Sequence, residues 1–391
     1  MEKNRKGANG AMERTKVLLV GVGGFGAGYV RELLEGAAGQ RAQVVGVVDP
    51  YAKQSPAYPL LERAGTPIHE TVEAFYAQGE AELAVIATPI QFHEHQACFC
   101  LRAGSHVLLE KPMAATVEQA KAILAARDAS GRKLAVGFQW CYDRTMLRLK
   151  ADVAAGLYGA PLDLKAMVLW PRDREYYRRG LGWAGKRLDA SGAPIYDNVV
   201  SNATAHYLFN MLWLPGADFR GQGLESLRAL CYRANEIETF DTVVMEGRNE
   251  AGARLWYAAS HAAGRDYNQN PVFEYRFEEA CLRFGALGET GERLTAWKGD
   301  RLVKDYGPSS LNDLTKLGVV LDHVAGRGPL PCPGEAALKH VEAMEALRLA
   351  CPEAPFFPPE RVEEADGFKR VEGLGAKLVE LYRQEAFPES L

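Results

Sequence analysis

A strand followed by three spaced glycines constrains the fold of this 391-residue chain more than any other feature. The apolar run 16–20 leads into a loop made of Gly21, Val22, Gly23, Gly24, Phe25 and Gly26. The first, third and sixth residues of the loop have the spacing of a dinucleotide-binding fingerprint. In that motif the glycines allow a tight turn, a close approach of the backbone to a pyrophosphate, and close packing of the next helix on the strand. We therefore expect the whole loop to bind a dinucleotide at a helix N-terminus.

A second apolar run, residues 44–48, ends at Asp49, which lies 23 residues after Gly26. A carboxylate at this place accepts hydrogen bonds from the adenosine ribose. The glycines alone would be a weak signal, but strand, glycines, helix, strand and acid occur in the required order. Asp49 would also repel a 2′-phosphate, and no arginine follows it directly, so we expect NAD to be preferred over NADP.

A third signal is Glu110-Lys111-Pro112, which follows the short apolar run 106–109. A lysine at the carboxyl end of a strand in an α/β sheet points into the crevice where ligands bind in such folds. Pro112 fixes the neighbouring main chain. Lys111 is therefore a candidate for chemistry on a bound ligand.

Two different sequence patterns along the chain predict two domains. Up to residue 140, continuous apolar runs alternate with helical patterns, which is typical of a doubly wound parallel sheet of the Rossmann type. In later segments apolar and polar residues alternate, and few helical patterns lie between these segments. This predicts an α+β domain with an open, mostly antiparallel sheet. We expect domains at 14–140 and 141–391, with helices near 335–350 and 367–384.

Composition excludes several classes of partner. A net charge of −4 and a pI near 6.1 indicate neither a nucleic-acid nor a membrane partner. The seven cysteines form no metal-like pair, so we expect no metal site, and their scattered, odd number favours reduced thiols in the cytoplasm. Residues 1–13 are polar, lack the apolar core of a signal peptide, and are expected to be disordered.

The order of these motifs resembles the Gfo/Idh/MocA family, whose namesakes include glucose–fructose oxidoreductase and inositol dehydrogenase. The matching segments are residues 21–26, Asp49, 87–93, 103–107, 110–112, 137–139, 183–185, 202–213 and 335–338. The resemblance implies hydride transfer between NAD(P) and a secondary alcohol of a sugar, cyclitol or related polyol. It also implies that Lys111 and His206 face the reacting carbon. The residues expected beside the cofactor are Thr88, Pro89, His93, Glu110 and Lys111.

The resemblance carries two structural expectations. The helix near 335–350 should return to the nucleotide-binding domain, and the Lys111–Pro112 bond should be cis. Apart from the resemblance, His93 falls near the cofactor loop, and we expect it to order the loop after Thr88 and Pro89. We also expect a homodimer or homotetramer formed through the C-terminal sheet.

One position departs from the family. Members commonly carry an aspartate four residues before the active-site histidine, and here that residue is Asn202. On a helix, Asn202 and His206 would share a face and could touch one substrate. Asp197 could replace the missing charge in space, although we favour a role as helix N-cap. We expect His206 to accept the alcohol proton and Lys111 to polarise the hydroxyl, with the reverse assignment left open.

The stretch 170–187 is the candidate specificity element. It holds six basic residues against two acidic ones, together with four large aromatic residues. Aromatic faces stack on sugar rings and arginine binds carboxylates or phosphates, so a uronate, phosphosugar or glycoside would suit it. A solvated loop or a subunit contact is the alternative. The expected substrate-binding residues are Asn202, Tyr142, Arg172, Tyr177 and Trp183.

Two other functions remain open from the sequence. A dinucleotide-binding regulator without catalysis would be compatible with the loss of the aspartate. An enzyme that retains NAD and runs an internal redox cycle would show no net oxidation. The presence of both Lys111 and His206 favours a catalyst.

Overall fold

The strands lie in two sheets and one hairpin of a computed structural model that describes residues 14–179, 182–288, 292–309 and 314–391. In chain order they are β1 Thr15–Val20, β2 Ala42–Val48, β3 Ile68–His69, β4 Leu83–Ile86, β5 His106–Leu109, β6 Leu134–Val136, β7 Pro161–Leu169, β8 Leu224–Tyr232, β9 Thr242–Asn249, β10 Arg254–Ser260, β11 Gln269–Phe277, β12 Cys281–Phe284, β13 Arg293–Lys298, β14 Arg301–Pro308, β15 Val362–Ala365 and β16 Phe368–Val371. The expected disorder of residues 1–13 concerns a segment outside the described residues.

The α-helices vary from one turn to almost five. They are α1 Gly26–Leu34, α2 Tyr58–Arg63, α3 Val72–Tyr76, α4 His93–Arg102, α5 Val117–Ser130, α6 Arg144–Ala154, α7 Arg174–Arg178, α8 Ala205–Trp213, α9 Thr315–Val324, α10 Gly334–Ala350 and α11 Leu374–Gln384. None of the helices in the described ranges is long and apolar enough to cross a bilayer.

The first of two compact units contains a six-stranded parallel sheet with the order β3-β2-β1-β4-β5-β6. Among described residues the unit consists of 14–114, 118–142 and 314–334. The strand order reverses beside β1, and ligands of such sheets bind at the carboxyl ends of the strands at this reversal. The predicted doubly wound Rossmann sheet is confirmed.

Residues 314–334 join the first unit although the chain has passed through the second. Val136 on β6 donates its N–H to Cys332 O at 3.0 Å, and Ala135 forms a β-bridge with Pro333. The sequence analysis did not anticipate this return. Helix α10 is grouped with the second unit from residue 335 onward, and its expected packing on the nucleotide-binding domain stays a prediction, as do the boundaries 14–140 and 141–391.

The second unit contains an eight-stranded sheet with the order β14-β13-β12-β11-β7-β10-β9-β8. Its neighbours are antiparallel except for β7 and β10, which run parallel. The predicted mostly antiparallel sheet is therefore confirmed.

The C-terminal segment covers part of one face of this sheet. Leu374, Leu378 and Leu381 of α11 pack in one apolar cluster with Met167 of β7 and Trp256 of β10. These side chains are almost fully buried, and each buried leucine contributes about 1.5–3 kcal/mol. Burial of this kind fixes α11 on the sheet.

The expected start of the last helix at about residue 367 is wrong. Residues 368–371 pair with 362–365 as the hairpin β15–β16, and the helix begins at Leu374. Asp366 and Gly367 both have positive φ, at 54° and 79°. An Asp-Gly pair of this kind is typical of a two-residue hairpin turn, so the signal was present in the sequence.

Candidate functional site

The glycine loop of the first unit leaves its backbone open to a ligand. A Cβ on Gly26 would lie 2.2 Å from Gly21 O, so only glycine allows α1 to start so close to the turn. Gly21 has φ +82° and a Cβ there would lie 2.8 Å from the Thr88 side chain. Nothing that the structure describes lies within 4 Å of a Cβ built on Gly23. The open position falls where the fingerprint brings the backbone to a pyrophosphate.

Asp49 fastens the glycine loop to the end of β2. Its Oδ2 accepts the N–H of Val22 at 2.9 Å and its Oδ1 accepts the N–H of Tyr51 at 2.8 Å. Val22 O in turn accepts the hydroxyl of Ser55 at 2.6 Å. A carboxylate has about four lone-pair sites, so Asp49 can still accept from two ribose hydroxyls. Asp49 therefore fixes the conformation of the glycine loop and can still accept hydrogen bonds from a ligand.

Glu110 lies in a buried polar network next to the loop. Its Oε1 accepts the hydroxyl of Tyr29 at 2.6 Å and lies 2.5 Å from Nζ of Lys316 on α9. Glu110 is 8% exposed and Lys316 is 1% exposed. The Lys316 ammonium also stands 4.5 Å from the ring centroid of Phe25. The carboxylate thus holds the loop helix and α9 together, and its expected contact with the cofactor stays a prediction.

His93 links two of the loops that end parallel strands. One ring nitrogen lies 2.8 Å from Thr88 O, after β4, and the other lies 2.9 Å from Pro112 O, after β5. Burial lowers the pKa of His93, whereas the two carbonyl contacts oppose that shift. The prediction that His93 orders the loop after Thr88 and Pro89 is confirmed by these contacts. The Lys111–Pro112 bond is cis, as expected.

The second unit places Asn202 in a wide helical turn before α8. The turn spans Val199–Ala203 and is capped by Asn198, whose Oδ1 accepts the N–H groups of residues 200 and 201, both at 2.9 Å. The expectation that Asp197 is the N-cap is therefore wrong. Asp197 Oδ2 instead accepts the N–H of Gly185 at 2.7 Å. Asn198 has the amide oxygen in the right place because it directly precedes the turn.

The turn also changes the relation expected between Asn202 and His206. Thr204 has φ −109° and ψ 12°, outside helical values, and α8 begins only at Ala205. The two residues therefore do not belong to one regular α-helix, and the helical argument for a shared face does not apply to them. Tyr196, just upstream, has φ 48°, a left-handed value that is unusual for a side chain of this size. Wide turns and strained residues of this kind are concentrated at functional sites.

His206 is the second residue of α8 and is almost enclosed. It is 8% exposed, whereas Asn202 is partly exposed. Tyr257 donates its hydroxyl to Thr204 O at 3.1 Å, which fixes the backbone just before the histidine. The local fold thus holds the His206 main chain in place.

Arginine and aromatic side chains alternate after β7. The Arg172 guanidinium lies 5.4 Å from the ring of Trp170 and 5.1 Å from that of Tyr176. The Arg179 guanidinium lies 3.6 Å from Tyr176 and 5.1 Å from Trp183. Both arginines therefore pack on the ring of Tyr176. The expected specificity element forms a continuous cluster within the second unit.

A buried histidine adjoins this cluster. His261 Nδ1 lies 2.9 Å from the hydroxyl of Tyr177, and the ring is 2% exposed. Burial, with the positive charges of Arg172 and Arg179, holds the pKa of His261 well below its usual range. His261 is therefore neutral near pH 7. Sequence analysis missed it, because nothing nearby in the chain marks it as part of this cluster.

Comparison with known proteins agrees with this architecture. Residues 15–138 match the model of an oxidoreductase family with an NAD-binding Rossmann fold, named GFO_IDH_MocA. The likeness to the Gfo/Idh/MocA family thus covers the first third of the chain. The match falls on the six-stranded unit and its glycine loop and is with the NAD-binding domain of that family.

Relatives of this chain include inositol 2-dehydrogenases. That of Rubrobacter xylanophilus is 30% identical over 205 residues, 52% of this chain and 53% of the relative. That of Klebsiella pneumoniae is 25% identical over 358 residues, 88% of this chain and 98% of the relative. The chain spans 53% or less of the length of the three relatives with the highest match scores.

A solved structure shares the fold. The WlbA dehydrogenase of Bordetella pertussis, crystallised with NADH and UDP-GlcNAcA, superposes with a TM-score of 0.70 at 24% identity. The match covers 87% of this chain and 97% of that one. At this identity the likeness shows the fold alone.

The predicted site residues fall into separate groups, one in each unit. The glycine loop, Asp49, Thr88, Pro89, His93, Glu110 and Lys111 belong to the first unit, and Asn202, His206, Arg172, Tyr177 and Trp183 belong to the second. Tyr142 is 1% exposed and donates its hydroxyl to Val136 O at 3.0 Å within the first unit. We therefore leave Tyr142 out of the proposed substrate site.

Proposed function

We propose that this protein is an NAD-dependent oxidoreductase that transfers a hydride between the nicotinamide and a secondary alcohol of a sugar, cyclitol or related polyol. The observation that carries the proposal is the cradle in the first unit. There, the backbone at Gly23 is open and Asp49 retains acceptor capacity. Lys111 follows β5 in the same parallel sheet. The family match over residues 15–138 and the likeness to inositol 2-dehydrogenases support the substrate class.

NAD would supply the hydride acceptor, and the chain's own residues would orient the cofactor and substrate and accept the alcohol proton. The glycine loop and the N-terminus of α1 would hold the pyrophosphate, and Asp49 the ribose. Asp49 carries a charge that repels a 2′-phosphate, which favours NAD over NADP. We propose that His206 accepts the alcohol proton and that Lys111 polarises the hydroxyl.

Asn202 would serve the substrate as a neutral contact. An amide both donates and accepts hydrogen bonds but cannot stabilise a cationic histidine as the family's aspartate would. Asn202→Asp should therefore raise the pKa of His206 and move the pH profile of turnover upward.

The proposal is tested by incubating the purified chain with NAD and myo-inositol, D-glucose or D-glucuronate and following the absorbance of reduced cofactor. We expect reduction with at least one of these. His206→Asn should abolish most of it, because asparagine keeps hydrogen bonding but carries no proton near neutrality. A matched control is His95→Asn, since His95 is 68% exposed and pairs only on the surface with Glu73. Equal activity of the two variants would contradict the role of His206.

We propose further that the protein forms homodimers or homotetramers through its large sheet and works in the cytoplasm. The seven cysteines are all free thiols, which supports a reducing compartment. Since α11 covers part of one face of the large sheet, the contact between subunits would use the strands that α11 leaves uncovered. Light scattering of the purified chain measures the oligomeric state, and a monomer would refute the proposed assembly.

A further inference from the structure

The basic residues of the stretch 170–187 are not equivalent. Four of the six have their charges or donors engaged by protein groups. Arg174 pairs with Glu364, Arg178 with Glu175 and Lys186 with Glu238, while Arg187 donates to Glu238 O and Pro352 O. Arg172 and Arg179 differ in that neither has a carboxylate partner, although Arg179 also hydrogen-bonds the hydroxyl of Tyr176. In the described ranges no carboxylate lies within ion-pairing distance of either guanidinium.

The two exceptions lie together rather than at random. Both guanidiniums pack on the ring of Tyr176, and both are only partly exposed. Stacking on aromatic faces holds an arginine's planar fork in a fixed orientation while leaving its edge N–H groups available. Two oriented forks beside one ring form a preorganised positive site.

Nearby acidic groups are already committed to other donors. Asp197 binds Gly185 N, and Asp241 accepts from the N–H groups of Ala234 and Asn235 and from the Asn235 amide. Their bonds are local and hold the surrounding loops. They therefore do not replace a partner for Arg172 and Arg179.

Buried donors in the cluster lack acceptors. Arg172 Nε is buried without a hydrogen-bond partner among the described residues, and so is His261 Nε2. When Tyr177 donates to His261 Nδ1, the ring proton sits on Nε2. A buried donor without a partner costs about 1–3 kcal/mol, so a missing ligand is a physical explanation for both.

We propose that Arg172 and Arg179 form a subsite for a carboxylate or phosphate group carried by the substrate. His261 contributes a neutral donor beside it. This inference rests on the proposed function and narrows its substrate class from sugars and polyols in general to anionic ones. The positive charge selects the anion, and the rings of Trp170 and Trp183 flank it with apolar faces suited to a sugar ring.

Calorimetric titration tests the subsite without requiring turnover. The full-length protein with NADH is titrated with D-glucuronate, D-glucose 6-phosphate and neutral D-glucose. We expect at least one anionic sugar to bind about tenfold or more tighter than glucose. The two anionic arms distinguish a carboxylate from a phosphate ligand. Equal affinity for glucose and both anions, or no binding of either anion, overturns the proposal.

Variants assign the effect to the two arginines. Arg172→Gln and Arg179→Gln should each weaken binding of the preferred anion by about 10–100-fold and leave glucose binding within about twofold. Arg178→Gln is the matched control, because Arg178 is exposed on α7 and pairs with Glu175. Arg172→Lys keeps the charge but loses the fork, so it should retain more affinity than Arg172→Gln. An effect of Arg178→Gln equal to those of the other two overturns the proposal.

Turnover of the same sugars separates this subsite from the proposed activity. Selective anion binding that depends on Arg172 and Arg179, without NAD reduction by any sugar, would refute hydride transfer and leave the subsite standing. Unchanged KM for an anionic sugar in the Arg172→Gln and Arg179→Gln variants, with turnover intact, would refute the subsite and leave the oxidoreductase standing.

Discussion

Lys316→Met should strongly destabilise the first unit. The Lys316 ammonium lies 2.5 Å from Glu110 Oε1, with side-chain exposures of 1% and 11%. Removing one partner of such a pair leaves an uncompensated buried charge, which costs about 3–5 kcal/mol. The variant also loses the hydrogen bond from Lys316 to Gly137 O at 3.3 Å. Methionine has a similar volume, so a cavity contributes little to this loss.

Amide hydrogen exchange in β1 and β5 measures the effect, because it reports opening of the first unit separately from the second. A loss of about 3–5 kcal/mol corresponds to exchange about 10²–10⁴ times faster when the equilibrium between the closed and open states determines the exchange rate. The double variant Glu110→Gln/Lys316→Met removes both charges and should recover most of the protection. The amide oxygen that this variant places at position 110 can still accept the hydroxyl of Tyr29.

The control is an exposed acid on the same helix. Asp322 of α9 lies 2.7 Å from Arg41 and 2.9 Å from Arg327, but the side chains of Asp322, Arg41 and Arg327 are 42%, 32% and 48% exposed. Asp322→Asn should therefore cost at most about 1 kcal/mol. The reasoning would be refuted if Lys316→Met changed exchange no more than Asp322→Asn, or if the double variant were as unstable as the single one.

Three further predictions concern cofactor, chemistry and pH. Asp49→Asn should weaken NAD binding and narrow the preference over NADP, since it removes the charge that repels a 2′-phosphate; titration of both cofactors measures this. Lys111→Met should lower turnover by about 10²–10⁴ while NAD affinity stays within a few fold; an unchanged rate would remove Lys111 from the mechanism. Burial lowers the pKa of His106 to about 4, and its Nδ1 accepts the N–H of Lys133 at 2.9 Å. Stability of the first unit should thus be full above pH 6.5 and fall toward pH 4, as only the unfolded chain binds the proton. His106→Asn keeps an acceptor in place and should flatten that dependence, which unfolding at several pH values would show.

Local features of the first unit could be predicted from the sequence because their causes are local. The glycines are required by contacts a few residues apart, as between Gly21 and Gly26, and Asp49 follows its strand directly. The apolar runs 16–20, 44–48 and 106–109 predicted the strands β1, β2 and β5. In contrast, β3 has only two residues, too few for a pattern.

Tertiary partners could not be predicted in the same way. Lys316 stands in an apolar stretch, and only the fold shows that its charge faces Glu110. Six basic residues in one stretch predict a charged surface. They do not predict that four of them bind other protein groups while Arg172 and Arg179 have no carboxylate partner. The choice of Asn198 over Asp197 as cap depended on a shift of one residue in the turn, below the precision with which a sequence sets helix ends.

The return of residues 314–334 has a consequence for biosynthesis. When a ribosome has just released β6, the Glu110 carboxylate is in place but its ammonium partner has not been made. Lys316 follows about 206 residues after Glu110, which takes roughly 10–40 s at about 5–20 residues per second. During this interval the nascent nucleotide-binding domain carries an unpaired acid in its core and an uncovered edge at β6. Its final folding must therefore wait until residues 314–334 have left the ribosome, after most of the second unit, although this domain comes first in the chain.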